Sequence, residues 1–291
     1  MALIPPVTRL TSSIIRILGC NPSPMTLQGT NTYLLGTGKK RILIDTGDVD
    51  VPEYIAHLDG VLKLEQASLS TIILTHWHQD HVGGVKDVLK VCATGDCQVY
   101  KFPRTDTIDL CPEIPAEIKV QPLQDKQELS IDGAKVKIVH TPGHTTDHIV
   151  LTTDDGILFS GDCILGEGTA VFEELYDYMQ SLHKILEIKP TIIYPAHGNI
   201  IEQPLDKIQH YIKHRMQREA QILDFFNRNA NKALQAMDVV RDVYKETPEQ
   251  LWSAAAYNVV HHIEKLVREG KLYAKTINDV TYYVSQQNNA L

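Results

Sequence analysis

Long apolar runs are missing from this chain of 291 residues. None approaches the ~18 residues that a membrane-spanning helix needs, so no membrane partner is expected. Paired cysteines are missing as well. The five cysteines, Cys20, Cys92, Cys97, Cys111 and Cys163, are odd in number and show no CxxC spacing. That argues against a secreted disulfide framework and against a zinc ribbon, and it fits a reducing compartment. No acidic residue precedes Asp45, whereas Arg9, Arg16, Lys39, Lys40 and Arg41 all do. The imbalance has the look of a mitochondrial presequence, but Ser13–Leu18 has the composition of a strand, which confines any targeting segment to roughly the first dozen residues. Internal repeats and low-complexity tracts are absent too.

What is present reads as globular: 43% hydrophobic and 22% charged residues. The formal net charge of -8 is unevenly spread. Residues 1–204 carry 16 Lys+Arg against 26 Asp+Glu, whereas residues 205–291 carry 12 against 10. The acidic larger part repels nucleic acid, and the C-terminal part leaves room for a basic attachment region.

In the first two thirds, short β-branched runs alternate with turns and amphipathic helices. Strands are expected at 13–18, 30–35, 41–44 and 71–74, and helices at 51–64, 85–91 and 174–188. Asp132-Gly133 and Asp154-Asp155-Gly156 mark two hairpins, and a last strand covers 191–194 before Pro195. After Pro204 the apolar spacing turns helical over 205–226 and again over 251–266, and a hairpin closes the chain over 271–284. The expectation is an α/β domain over 1–204 and a helical, winged-helix-like domain over 205–291.

The chemistry concentrates in Thr75-His76-Trp77-His78-Gln79-Asp80-His81, three imidazoles and a carboxylate in seven positions. Alternate residues of an extended segment share a face, so His76 and His78 can converge on one ion. Once the chain turns, Asp80 and His81 aim elsewhere, toward a second ion. Further donors must come from other strand ends. Thr141-Pro142-Gly143-His144, Ser160-Gly161-Asp162-Cys163 and Pro195-Ala196-His197-Gly198 each place one His or Asp just beyond an apolar strand, beside a turn-forming Gly or Pro. The donor set suits zinc, and manganese or iron accept a similar one. His140, His148, His210, His214, His261 and His262 are read as structural, and Cys163 as a small buried hydrophobe.

HxHxDH with a downstream His, Asp and His resembles the metallo-beta-lactamase superfamily across roughly residues 13–200. The resemblance implies an α/β fold, the αββα sandwich, holding two Zn2+ per chain. His76, His78 and His144 would hold one zinc, Asp80, His81 and His197 the other, and Asp162 would bridge them. Asp45 would support the metal loop from behind, and Asp80 and Asp162 would be the catalytic carboxylates around a metal-bridging hydroxide.

Substrate is a separate question. Asp162 stands where many true beta-lactamases of this pattern use a cysteine ligand, which argues against antibiotic hydrolysis. The short span between His144 and His197 departs from the cleavage-factor nucleases with their capping domain. Residues 19–33 and 159–168 closely resemble one branch of the superfamily that also carries a winged-helix tail. That likeness implies an endoribonuclease acting on single-stranded RNA in the mitochondrial matrix, with the cytoplasm as the alternative location. Composition and spacing do not themselves identify RNA. A glyoxalase II-like thioesterase is the alternative activity, and a non-catalytic scaffold held by zinc is a third reading; the oligomeric state stays open. Asn31 and Asn199 are candidates for orienting substrate. Lys207, Lys213, Arg215 and Arg218 lie with Tyr211 on one helix, as a contact for backbone phosphates or, by the reading weighed above it, as packing on the zinc domain.

Overall fold

The computed structural model describes residues 2–104 and 114–285, so Cys111 lies outside the described residues. Seven strands form the first sheet in sequence order: β1 (Val7–Arg9), β2 (Ile14–Leu18), β3 (Asn31–Leu35), β4 (Lys40–Ile44), β5 (Ser68–Leu74), β6 (Ala93–Lys101) and β7 (Val120–Pro122). The pairings are antiparallel as far as β4 and parallel from there to β7. Helices α1 (Pro52–Leu64), α2 (Gln79–Val82) and α3 (Val85–Cys92) lie in the connections. The second sheet contains β8 (Glu128–Ile131), β9 (Ala134–His140), β10 (Ile149–Thr152), β11 (Ile157–Gly161) and β12 (Ile192–Pro195), in the order β12-β11-β10-β9-β8. Helix α4 (Leu175–Ile188) is the crossover between β11 and β12, which pair in parallel.

Side-chain alternation stacks these elements. In β4, Leu43 points to the core under α1 and α3, while Ile42 and Ile44 point to the other sheet. β5 divides likewise, Ile72 and Leu74 against Ile73. Across the interface, Ile149, Leu151 and Phe159 meet that inner face, while Val150 and Leu158 turn outward to Tyr178, Leu182 and Ile185 of α4. Strands buried on both faces therefore read as nearly unbroken apolar runs, and a one-residue slip would exchange the two cores. The result is the four-layer αββα sandwich expected from the sequence.

The remaining elements are α5 (Pro204–Arg228), α6 (Ala236–Val243), a 3-10 turn at Glu249–Leu251, α7 (Trp252–Arg268), and the hairpin of β13 (Leu272–Ile277) and β14 (Val280–Ser285). α5 serves two cores. Ile208, Tyr211 and Ile212 pack with α4, whereas Ile222, Phe225 and Phe226 pack with Val239, Val240, Val259 and Ile263 of α6 and α7. Among the described residues, no helix is long and apolar enough to cross a membrane. The structure adds β1, β6, β7 and α6 to the expected elements. It also puts Asp80 and His81 on the one-turn helix α2 instead of an irregular loop.

Candidate metal centre

The centre is built outward from Asp45, which follows β4 in a left-handed conformation with φ 58°. Its carboxylate accepts the Thr75 backbone N–H at 2.8 Å, the Thr75 hydroxyl at 2.9 Å and His81 Nδ1–H at 2.8 Å. With its proton committed to Asp45, the Thr75 hydroxyl accepts His76 Nδ1–H at 3.0 Å. His144 donates Nδ1–H to the Val171 carbonyl at 2.8 Å. Each of these bonds fixes a tautomer, so the Nε2 lone pairs of His76, His81 and His144 all face inward.

Two groups of donors result. His76 Nε2, His78 Nδ1 and His144 Nε2 lie 2.9, 3.1 and 3.2 Å apart, and Asp162 Oδ2 is 3.7 Å from His144 Nε2. In the second group, Asp80 Oδ2 is 3.2 Å from both His81 Nε2 and His197 Nε2, and Asp162 Oδ1 is 3.5 and 3.2 Å from the same two atoms. A tetrahedral ion with Zn–N bonds of 2.0–2.1 Å sets its ligands about 3.3 Å apart, which these separations bracket. Converging lone pairs repel unless a cation lies among them. His81 Nε2 and Asp162 Oδ1 are buried without a hydrogen-bond partner, and a metal ligand's lone pair needs none. The seven side chains, grouped as four and three, fit a binuclear site.

The electrostatics agree. Burial, then the neighbouring His81, His78 and His144, push His76 well below the usual imidazole range, and burial and His144 take His78 to about 4. Burial opposes ionisation of Asp80 and Asp162, but His81 and His197 outweigh it and hold both carboxyls well below the usual range. Burial likewise opposes the charge on His197, which Asp162 and Asp80 nonetheless raise to about 9. A cation entering the second group must displace that proton.

All seven residues singled out in the sequence come together. One residue read there as structural has a larger part: His148, fully buried, accepts the Asp162 backbone N–H through Nε2 at 3.1 Å. Its partner is a main-chain group, so no spacing of side chains could reveal it. His140 stacks on Phe102 at 4.1 Å, outside both groups, and Cys163 packs in the core beneath α4.

Two readings need correction. Asn31 is buried and donates Nδ2–H to the carbonyls of Pro195 and Gly198, both at 2.9 Å, so it shapes the turn carrying His197 instead of meeting substrate. Asn199 gives its side-chain amide to Glu167 at 2.6 Å. The cations of α5 largely pack: Lys207 donates to the Gly166 carbonyl, Arg215 to the Ala170 carbonyl while lying over Phe172, and Arg218 lies over Tyr244. The contacts of Lys207 and Arg215 anchor the segment after Asp162, one wall of the cleft above the centre. That cleft, 560 Å³, is lined further by Met25, Trp77 and Val171.

Comparison with known proteins places these features. The family model for the metallo-beta-lactamase superfamily matches residues 25–197, and that for the beta-lactamase associated winged helix domain matches residues 236–275. A beta-lactamase-like protein 2 homolog of Drosophila melanogaster is 66% identical over 292 residues, covering 100% of both chains. A protein of the same description from Caenorhabditis elegans is 42% identical over 269 residues, 92% of this chain and 88% of that one. In structure, a beta-lactamase domain protein from Burkholderia ambifaria superposes with a TM-score of 0.78 at 18% identity, covering 96% of this chain and 93% of that one, a likeness of fold.

Proposed function

The chain belongs to the metallo-beta-lactamase superfamily, and from that premise we propose that it is a two-zinc endoribonuclease cleaving single-stranded RNA. The observation that carries the hydrolytic part is Asp162, whose two oxygens face the two donor groups separately. Divalent ions held there supply Lewis acidity and an acidified water. The protein's own residues do the rest. Asp80 and Asp162 stay anionic beside the imidazoles, and the Thr30 hydroxyl, donating to Asp80 Oδ2 at 2.9 Å, fixes that carboxylate.

The choice of RNA rests on the resemblance of residues 19–33 and 159–168 to the ribonuclease branch. The cleft supports it: Trp77 in its wall is a flat aromatic of the kind on which a base stacks, and the Arg104 guanidinium lies 4.6 Å from its ring centroid. We place the protein in the mitochondrial matrix by the same resemblance. Ile4 is buried and β1 pairs with β2, so the N-terminal residues are integral to the fold.

The test sets an end-labelled single-stranded RNA beside S-lactoylglutathione. Internal cleavage of the RNA, lost by roughly a hundred- to a thousandfold in Asp162→Asn, is the expected result. Thioester hydrolysis with intact RNA would replace this reading with the glyoxalase II-like one.

A further inference from the structure

Beyond the centre, the described residues contain one other group of metal-ligating side chains. The donor atoms of Cys20, Glu53 and His57 all lie within 4.8 Å of one another. Cys20 follows β2 and holds a left-handed backbone, φ 54°, unusual for a residue with a Cβ. Glu53 and His57 are four apart on α1 and share a face, with His57 Nε2 3.7 Å from Glu53 Oε1. That distance is too long for a hydrogen bond. His57 Nε2 is sealed from solvent yet has no hydrogen-bond partner, and the Cys20 thiol, a weak donor, reaches only the Leu18 carbonyl at 3.3 Å. A plain surface pair on a helix explains neither the stranded nitrogen nor the thiol beside it.

We propose that Cys20, Glu53 and His57 form a separate site that takes one zinc-class divalent cation through thiolate, carboxylate and imidazole, with the fourth position left to water. Three such ligands are the usual complement of an open zinc site, and the thiolate disfavours magnesium, calcium and manganese. The donors lie within 4.8 Å of one another, against a tetrahedron's edge of about 3.3 Å, and rotation of the exposed Glu53 side chain brings its carboxylate closer to the other two. An ion there ties the Cys20 corner to α1.

Cobalt(II) added to the metal-stripped full chain tests the site independently of any substrate. The main centre offers only nitrogen and oxygen donors, and Cys163 faces the core under α4. Among the described residues no cysteine but Cys20 belongs to a group of metal-ligating side chains, so a sulfur-to-cobalt charge-transfer band in the near ultraviolet that depends on residue 20 reports this site. Wild type should show it at about one ion per chain beyond the main centre. Cys20→Ala should lose it while keeping the weaker visible absorption of the main centre and the hydrolytic activity. His57→Gln, which removes the imidazole and keeps a polar side chain on α1, should weaken binding at this site at least tenfold. Absence of the band in wild type at saturating cobalt, its survival in Cys20→Ala, or unaltered affinity in His57→Gln would each overturn the proposal.

Discussion

His148 holds the backbone of Asp162 through its ring, 3.1 Å from Nε2 to the amide nitrogen, at a position with no solvent exposure. The same residue is joined to two other strand ends. Its Nδ1 meets Thr141 Oγ1 at 3.0 Å and its carbonyl accepts the Thr141 N–H at 2.9 Å, while the next residue, Ile149, donates N–H to the Thr75 carbonyl at 2.9 Å. Thr75, Thr141 and Asp162 lead into or belong to the donor groups. One buried imidazole therefore joins two of the donor-bearing turns, and the backbone beside it reaches the third.

His148→Leu should keep the fold and lower metal affinity and turnover by about 10–100-fold. His148→Gln should recover part of both, because its side-chain carbonyl can accept the same N–H. Metal retained after dialysis against a graded chelator is the readout. Equal retention in wild type and the Leu variant would refute the positioning role.

Asp45 gathers three donors, including His81 Nδ1–H. Asn tolerates the left-handed backbone there, so Asp45→Asn isolates charge and acceptor loss from strain. Metal affinity at the second group should drop about 10–100-fold with little change in melting temperature. Calorimetric titration of the stripped protein measures it.

Lys101 and Asp147 form an ion pair of 2.9 Å with side-chain exposures of 3% and 0%. It clamps the end of β6 to the turn just after His144. Removing one partner strands the other charge, so Lys101→Met should destabilise the protein by about 3–5 kcal/mol. Lys101→Met with Asp147→Leu should regain much of that loss. Urea unfolding of the three proteins decides the matter.

His262, 1% exposed, is pushed to about 3 by burial and then by Arg215, Arg218, Lys265 and His261. The unfolded chain takes up this proton near the ordinary imidazole value of about 6.5, whereas the folded chain refuses it until about 3. Its contribution to stability is thus complete above about 6.5 and declines by about 1.4 kcal/mol per pH unit below it. Wild type minus His262→Leu, in urea melts between pH 7 and 5, should show that slope. Parallel curves would contradict it.

The donor set was legible because four of its members crowd into residues 76–81 and the other three, His144, Asp162 and His197, each come after an apolar strand and beside a Gly, a pattern that survives without knowing the fold. The two sheets were legible from Asp-Gly turns and from runs such as Thr71–Leu74. β6 was not: Gly95 and Asp96 interrupt its sequence, and it exists because β5 offers a parallel edge with an irregular register. Asn31 misled for a related reason. It lies beside the motifs in space, but its amide hydrogen-bonds the turn behind His197. His148, and the meeting of Cys20 with Glu53 and His57, depend on backbone groups and distances that only the folded chain supplies.

α5 is 25 residues long, on the order of 37 Å, and is embedded at one end beneath the sandwich and at the other in the winged-helix module. It leaves no swivel between them. Cutting the gene at residue 204 would strip Ile208, Tyr211 and Ile212 from the larger body and release the Tyr211 hydroxyl from the Leu165 N–H. The cleft wall would slacken with it. The C-terminal module is in that sense a handle cast in one piece with the blade.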